Sequence, residues 1–302
     1  MEKLIQKLNS QKDFNYKKVL HFLRKARKSK LRYSELIIKY GFPLIKNYSK
    51  KIDKEEYFEV LEQVYLAGLD CNKDASIFCI QILKEKFSTS LRFKILYGMF
   101  LESKGSFEKA KNLYGKILEK DSTNVLPQKR LVTIFKAQND IPNAIKKLNQ
   151  YLEVYMLDIE AWEELCELYL QTESYSKARF CLEELILLNP NESKYYDKCA
   201  RVLYTIGGFD GLILARQYFS HSIKISKIVN PIDSYLGLLM TTNKIESLKK
   251  KTNQKFLELN NNLSKFAKEK LIETYQKQQE NETQKENESI KTILDLIKDE
   301  KK

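Results

Sequence analysis

Residues 161–190 read A-W-E-E-L-C-E-L-Y-L-Q-T-E-S-Y-S-K-A-R-F-C-L-E-E-L-I-L-L-N-P. Trp162, Leu165 and Tyr169 fall at i, i+3 and i+7 with Leu168 beside them, which gives a first helix one apolar face. Glu173-Ser174-Tyr175-Ser176 interrupts that pattern, and Ala178, Leu182, Leu185 and Ile186 restart it. Asn189-Pro190 ends the second helix, because proline cannot continue one. The stretch is a helical hairpin with one shared seam, and a single hairpin leaves its other face without a partner.

The chain supplies that partner by repetition. Ala144 stands 34 residues before Ala178, and Ala110 stands 34 before Ala144, in the settings K-A-K-N-L-Y, N-A-I-K-K-L and K-A-R-F-C-L. Alanine lets two helix backbones cross closely, and a larger side chain there overpacks the contact by roughly 1–3 kcal/mol. Gly98 and Cys166 share the small slot of the first helices, Leu131 and Leu165 a large one, and Phe135 and Tyr169 another. The order Trp162, Leu165, Tyr169, Ala178, Leu182, Pro190 resembles a tetratricopeptide repeat. The expected fold is all-α, a tetratricopeptide-repeat α-solenoid: a superhelix of antiparallel helix pairs.

Composition agrees: 43% apolar residues with nine Gly and five Pro among 302 suit helices with short connections. No apolar run approaches the ~18 residues of a spanning helix, and Met1–Lys7 lacks the apolar core of a signal peptide, so a cytosolic or nuclear chain is expected. Asn47-Tyr48-Ser49 and Asn281-Glu282-Thr283 are then by-products of an Asn-rich composition rather than glycan sites. The five cysteines include no C-x-x-C pair, and Cys79, Cys166 and Cys199 fall at packed repeat positions, which suits reduced core thiols. Two distant histidines, His21 and His221, offer neither a zinc cluster nor a triad. Gly207, Gly208 and Gly211 lack the preceding strand and the Gly-Lys-Ser/Thr of a phosphate cradle. No catalytic residue, metal site or cofactor is expected. The net charge of +13 permits attraction to acidic proteins, RNA or an anionic membrane surface without choosing among them.

Three regions follow in order. Residues 1–54 form a basic helical cap, helical over 3–32, where eight Lys and Arg from Lys17 to Arg32 stand without an acid; a solvated face and a patch for lipid headgroups or an acidic partner both fit. Ser34 to Pro43 reads as a helix ended by Gly41 and Pro43. Residues 55–245 form the solenoid, with units near 91–122, 125–156 and 159–190. Ala215 stands 37 after Ala178, which places three added residues in the glycine-rich turn at 207–211. Asp233 to Met240 opens a further helix. In 246–302 the pattern weakens: Gln276 to Ser289 has no apolar residue, so it is a solvated helix or disordered, and Ile290, Ile293, Leu294 and Ile297 form a short stripe.

In such repeats the outward residues of the first helices carry recognition. Here they are Lys129, Thr133 and Lys136 beside Arg130 in one unit, and Glu160, Glu163, Glu167 and Gln171 in the next. A basic strip adjoining an acidic one suits an extended or helical segment bearing both charges; ordinary solvated faces with ion pairs worth roughly 0–1 kcal/mol explain the same residues.

A more specific resemblance lies in K-A-Q-N-D-I-P-N-A-I-K-K-L-N-Q-Y-L-E, D-I-E-A-W-E-E-L-C-E-L-Y, A-R-F-C-L-E-E-L-I-L-L-N-P and Y-T-I-G-G, all within 136–208. With Glu62-Gln63-Val64, Ala67 to Asp70, and Ser220 to Met240, the chain over 17–245 is similar to the subunit 2 family of the ER membrane protein complex. The resemblance implies a non-catalytic scaffold, peripheral on the cytoplasmic side of the endoplasmic reticulum membrane. It implies partners in membrane subunits 3 and 5 and an 8/9-type subunit, within a complex that inserts transmembrane segments of tail-anchored and multipass proteins. The basic N-terminus and the polar tail inherit no role from it. The competing reading is a helical-repeat adaptor or RNA-processing protein, suggested by the basic balance, although Glu160, Glu163 and Glu167 stand where phosphate contacts would be needed.

Overall fold

The structure, a computed structural model, describes residues 15–29, 32–227, 231–248 and 254–279. Within them lie fourteen α-helices and no strand. They are α1 (Tyr16–Ser29), α2 (Ser34–Tyr48), α3 (Lys54–Cys71), α4 (Lys73–Phe87), α5 (Leu91–Ser103), α6 (Phe107–Lys120), α7 (Val125–Ala137), α8 (Ile141–Val154), α9 (Ile159–Gln171), α10 (Tyr175–Leu188), α11 (Ser193–Ile206), α12 (Phe209–Ile225), α13 (Ile232–Ser247) and α14 (Gln254–Gln279). Among the described residues no helix is long and apolar enough to cross a membrane. The polar stretch beyond Gln279 and the stripe at 290–297 lie outside the described residues, as do residues 3–14 of the expected first helix.

The repeat is metrical. Leu91, Val125, Ile159 and Ser193 open first helices, and Phe107, Ile141, Tyr175 and Phe209 open second helices, each at a step of 34 residues. Ala110, Ala144 and Ala178 are the fourth residues of α6, α8 and α10, and all three are fully buried. The residues with positive φ at the turns keep the same step: Gly105 (71°), Asn139 (57°), Glu173 (54°) and Gly207 (79°). At the first three, the next residue's N–H reaches back five positions, Ser106 to Leu101, Asp140 to Phe135 and Ser174 to Tyr169, at 2.8–2.9 Å. This left-handed cap satisfies the last carbonyls of the first helix and turns the chain back against it.

The chain divides between Asp140 and Ile141 into two compact units. In the first, each helix from α1 to α6 packs on its successor, and α5 also packs on α7. Val19, Phe22, Leu23, Leu44, Ile45, Val60, Leu61, Val64 and Tyr65 form its core under α1 to α5, and Ile95, Ala110, Tyr114, Ile117 and Ile134 carry the core through α5 to α7. Gly98 shows why its slot is small: a Cβ there would strike the Tyr114 ring. In the second unit α8 to α14 pack in succession, with α11 also against α13. There the small slot is Cys166, whose Sγ lies 3.8 Å from the Ala178 carbonyl.

Two expectations are corrected. Helix α2 does not end at Gly41 and Pro43 but runs to Tyr48, with Pro43 inside it. An internal proline costs ~3 kcal/mol, yet continuing the helix buries Leu44 and Ile45, each worth about 1.5–3 kcal/mol. The three added residues of the 193–225 unit are not in the turn. Helix α12 begins 34 residues after α10 begins and ends 37 after α10 ends, so they lengthen the helix by almost one turn. That increment returns the same face to the core, and Leu212 and Ala215 are both buried.

Candidate functional site

The first helices of unit one surround a cleft of about 520 Å³. It is lined by Ala26 and Arg27 of α1, Arg32, Tyr33, Ser34 and Ile37 around the start of α2, Gln63, Leu66, Ala67, Leu69 and Asp70 of α3, Met99, Glu102 and Ser103 of α5, and Arg130 of α7. Three guanidinium groups face two carboxylates over an apolar floor. The Ser34 hydroxyl donates to Asp70 Oδ2 at 2.7 Å, and Arg32, almost fully exposed, stands 4.0 Å from Asp70 Oδ1. The Gln63 amide donates to the Leu23 carbonyl at 3.2 Å, while its buried Oε1 accepts no hydrogen bond from the described residues. An acceptor in that position is costly unless a donor meets it.

Successive first helices are also stitched to each other by charge. Arg24 forks onto Glu56 at 2.5 and 2.6 Å, and Arg27 meets Glu59 at 2.8 Å, from α1 to α3. Arg92 of α5 meets Glu62 of α3 at 2.9 Å, and Arg130 of α7 forks onto Glu102 of α5 at 3.0 and 2.5 Å. In unit two Glu163 of α9 accepts from Lys194 at 3.0 Å and from the Tyr195 hydroxyl at 2.8 Å, both on α11. Asp197 of α11 accepts from Ser234 of α13 at 2.9 Å. The hydrogen bond and charge of Arg24 hold the Glu56 carboxyl below the ordinary range. For Glu163 burial pulls upward, but Lys194 and Tyr195 outweigh it and the net direction is down. Burial and the Glu102 carboxylate push the Tyr114 phenol up.

The sequence-predicted residues therefore divide. Arg130 lines the cleft and is anchored by Glu102; Glu163 is a bridge between neighbouring first helices. Lys129 is half-buried, and Thr133 and Lys136 are exposed one and two turns along α7, the Thr133 hydroxyl donating to the Lys129 carbonyl at 3.1 Å. Glu160, Glu167 and Gln171 are exposed on one face of α9. The two sets lie in different units. Not assigned to any site by the sequence reading were Tyr33, Gln63, Asp70 and Met99, while Arg27 and Arg32 stood in the basic run already singled out. Within that run Arg24 and Arg27 pair with α3, whereas Lys17, Lys18, Lys25 and Lys28 are exposed.

The buried thiols are not chemically poised. Cys79, Cys166, Cys181 and Cys199 are buried, and burial pushes Cys79, Cys181 and Cys199 up to about 12 and Cys166 to about 11. A thiol held so far from its thiolate is a packing group.

Comparison with known proteins supplies the family. The EMC2 TPR-like repeat domain family matches residues 75–224. The chain is 34% identical to ER membrane protein complex subunit 2-B of Xenopus laevis over 294 residues, 97% of each chain. It is 36% identical to ER membrane protein complex subunit 2 of Dictyostelium discoideum over 222 residues, 72% of this chain and 68% of that one. Among solved structures, the C-terminal part of a TPR repeat-containing protein from Cytophaga hutchinsonii superposes with a TM-score of 0.56 at 16% identity, covering 80% of this chain and 93% of that one, a likeness of fold alone.

Proposed function

The chain belongs to the ER membrane protein complex subunit 2 family, and from that premise we propose that it is a non-catalytic scaffold subunit of the complex. It sits peripherally on the cytoplasmic side of the endoplasmic reticulum membrane. There it holds cytosolic segments of its neighbours, membrane subunits 3 and 5 and an 8/9-type subunit, while the complex inserts transmembrane segments of tail-anchored and multipass proteins. The observation that carries the holding role is the cleft of unit one: an apolar floor beneath charges of both signs. A polypeptide segment offers both complements, namely side chains for the floor and charged residues for Arg32 and Asp70.

The test is co-purification of the tagged full chain from gently solubilised endoplasmic reticulum membranes. Integral membrane proteins of the complex are expected with the wild type and lost after carbonate or high-salt stripping. The exposed-site double substitution Arg32→Glu/Leu66→Glu should lower their recovery while leaving helix content unchanged. Recovery unaffected by it would remove the cleft from the holding role, and absence of membrane partners from the wild type would remove the scaffold reading.

A further inference from the structure

Unit two carries a second surface. Among the described residues the four most exposed large apolar side chains are Leu157 (80%), Leu187 (75%), Val154 (66%) and Met156 (63%), and Phe180 and Leu126 follow at 54%. Those of unit two are not scattered. Val154 ends α8, Met156 and Leu157 lie in the turn that enters α9, and Phe180 and Leu187 lie two turns apart on one face of α10. Helices α9 and α10 are joined by only three residues and have nearly equal lengths, so the end of α10 returns to the start of α9. Trp162 joins the two groups: its Nε1 donates to the Met156 carbonyl at 2.8 Å, and its ring meets Phe180 edge-on at 6.1 Å.

The surroundings of this patch say what covers it. Residues 158–192 contain nine Asp and Glu against Lys177 and Arg179, a formal −7 inside a chain of +13. Glu183 and Glu184 lie between Phe180 and Leu187 on α10, and Glu153 and Glu160 flank the entering turn. Exposed apolar side chains with a charged rim mark an interaction surface. An acidic rim repels anionic lipid headgroups and disfavours a second copy of the same acidic patch, and it attracts a cationic polypeptide. We infer that the end of the α9/α10 hairpin is a docking surface for a basic amphipathic segment of a partner protein, with apolar anchors seated on Leu157, Trp162, Phe180 and Leu187 and Lys or Arg over the glutamates.

Trp162 is the chain's one tryptophan and reports on the patch directly. The full-length protein is titrated with a synthetic tryptophan-free amphipathic Leu/Lys peptide and with its Leu/Glu counterpart, and Trp162 emission is followed. Saturable binding of the Leu/Lys peptide alone is expected, weakened about tenfold or more by Leu157→Ser/Leu187→Ser with the circular dichroism unchanged. The Arg32→Glu/Leu66→Glu protein should bind it as the wild type does, which separates this surface from the cleft. Equal response to both peptides, or full binding by the Leu157→Ser/Leu187→Ser protein, would overturn the inference. So would a Trp162 shift on anionic phosphatidylserine vesicles, or self-association that the same substitutions abolish in sedimentation; these would make the patch a membrane face or a self-interface.

Discussion

Arg130 closes on Glu102 through two parallel contacts, Nε to Oε1 at 3.0 Å and Nη2 to Oε2 at 2.5 Å, while the buried Tyr114 hydroxyl donates to the same Oε1 at 2.6 Å. Helices α5, α6 and α7 thus meet on one carboxylate. Glu102→Ala strands both the guanidinium and the phenol, and urea unfolding should show a loss of about 2–4 kcal/mol. Arg130→Lys keeps the charge but not the fork and should lose only about 1 kcal/mol. Equal losses would mean that the geometry of the fork is irrelevant.

Acid should loosen the inter-helix bridges. The folded values of Glu56 and Glu163 lie below their unfolded ones, so their contribution is complete above the ordinary carboxylate range, about 4.3, and is lost as pH falls through the folded values. The melting temperature should hold through neutral pH and fall in acid. Glu56→Gln/Glu163→Gln should melt lower at neutral pH and show a flatter acid limb in scanning calorimetry.

The same substitution should have opposite signs at two glycines of one hairpin. Gly98→Ala drives a methyl into the Tyr114 ring and should destabilise by about 1–3 kcal/mol. Gly115, in α6, has open space where a Cβ would stand, and Gly115→Ala should stabilise by up to about 1 kcal/mol through helix propensity. Denaturant midpoints of the two variants decide it.

The turn caps offer a third comparison. Glu173 holds φ 54° where Gly105 and Gly207 hold similar angles. A side chain there costs roughly 1 kcal/mol, so Glu173→Gly should raise the unfolding midpoint and Gly105→Ala should lower it by about the same amount.

Thiol reactivity should follow burial. Cys71 is exposed and the other four cysteines are buried. Native protein should react quickly with Ellman's reagent at one thiol, and denatured protein at all five; a second fast native thiol would show that the core opens locally.

The fold was legible because its period is physical. Ala110, Ala144 and Ala178 are fully buried at the fourth position of their helices, and the helix starts keep the 34-residue step that those alanines announce. Pro43 misled because a local rule was applied where tertiary burial of Leu44 and Ile45 prevails. The three extra residues of α12 were misplaced because three is close to one helical turn, so the pattern of buried positions is the same whether they extend a loop or a helix. For the candidate site, spacing on α7 and α9 identified outward residues but could not show that Arg130 and Glu163 are already engaged. Their partners lie on other helices, 28 residues from Arg130 at Glu102 and 32 from Glu163 at Tyr195, with no motif to mark the pairing. The cleft was invisible for the same reason, since Arg32, Gln63, Asp70 and Arg130 converge only after folding.

The charge bridges between first helices have unequal sequence intervals, 32 residues for Arg24 with Glu56, 30 for Glu62 with Arg92 and 28 for Glu102 with Arg130, and the first runs base to acid where the next two run acid to base. Hairpins built to one metre are in principle exchangeable, and a growing chain could stack them out of turn. Unequal, sign-specific fasteners work like differently cut keys: a hairpin slipped by one place meets the wrong charge at the wrong height, so the order of assembly is written into the wall itself.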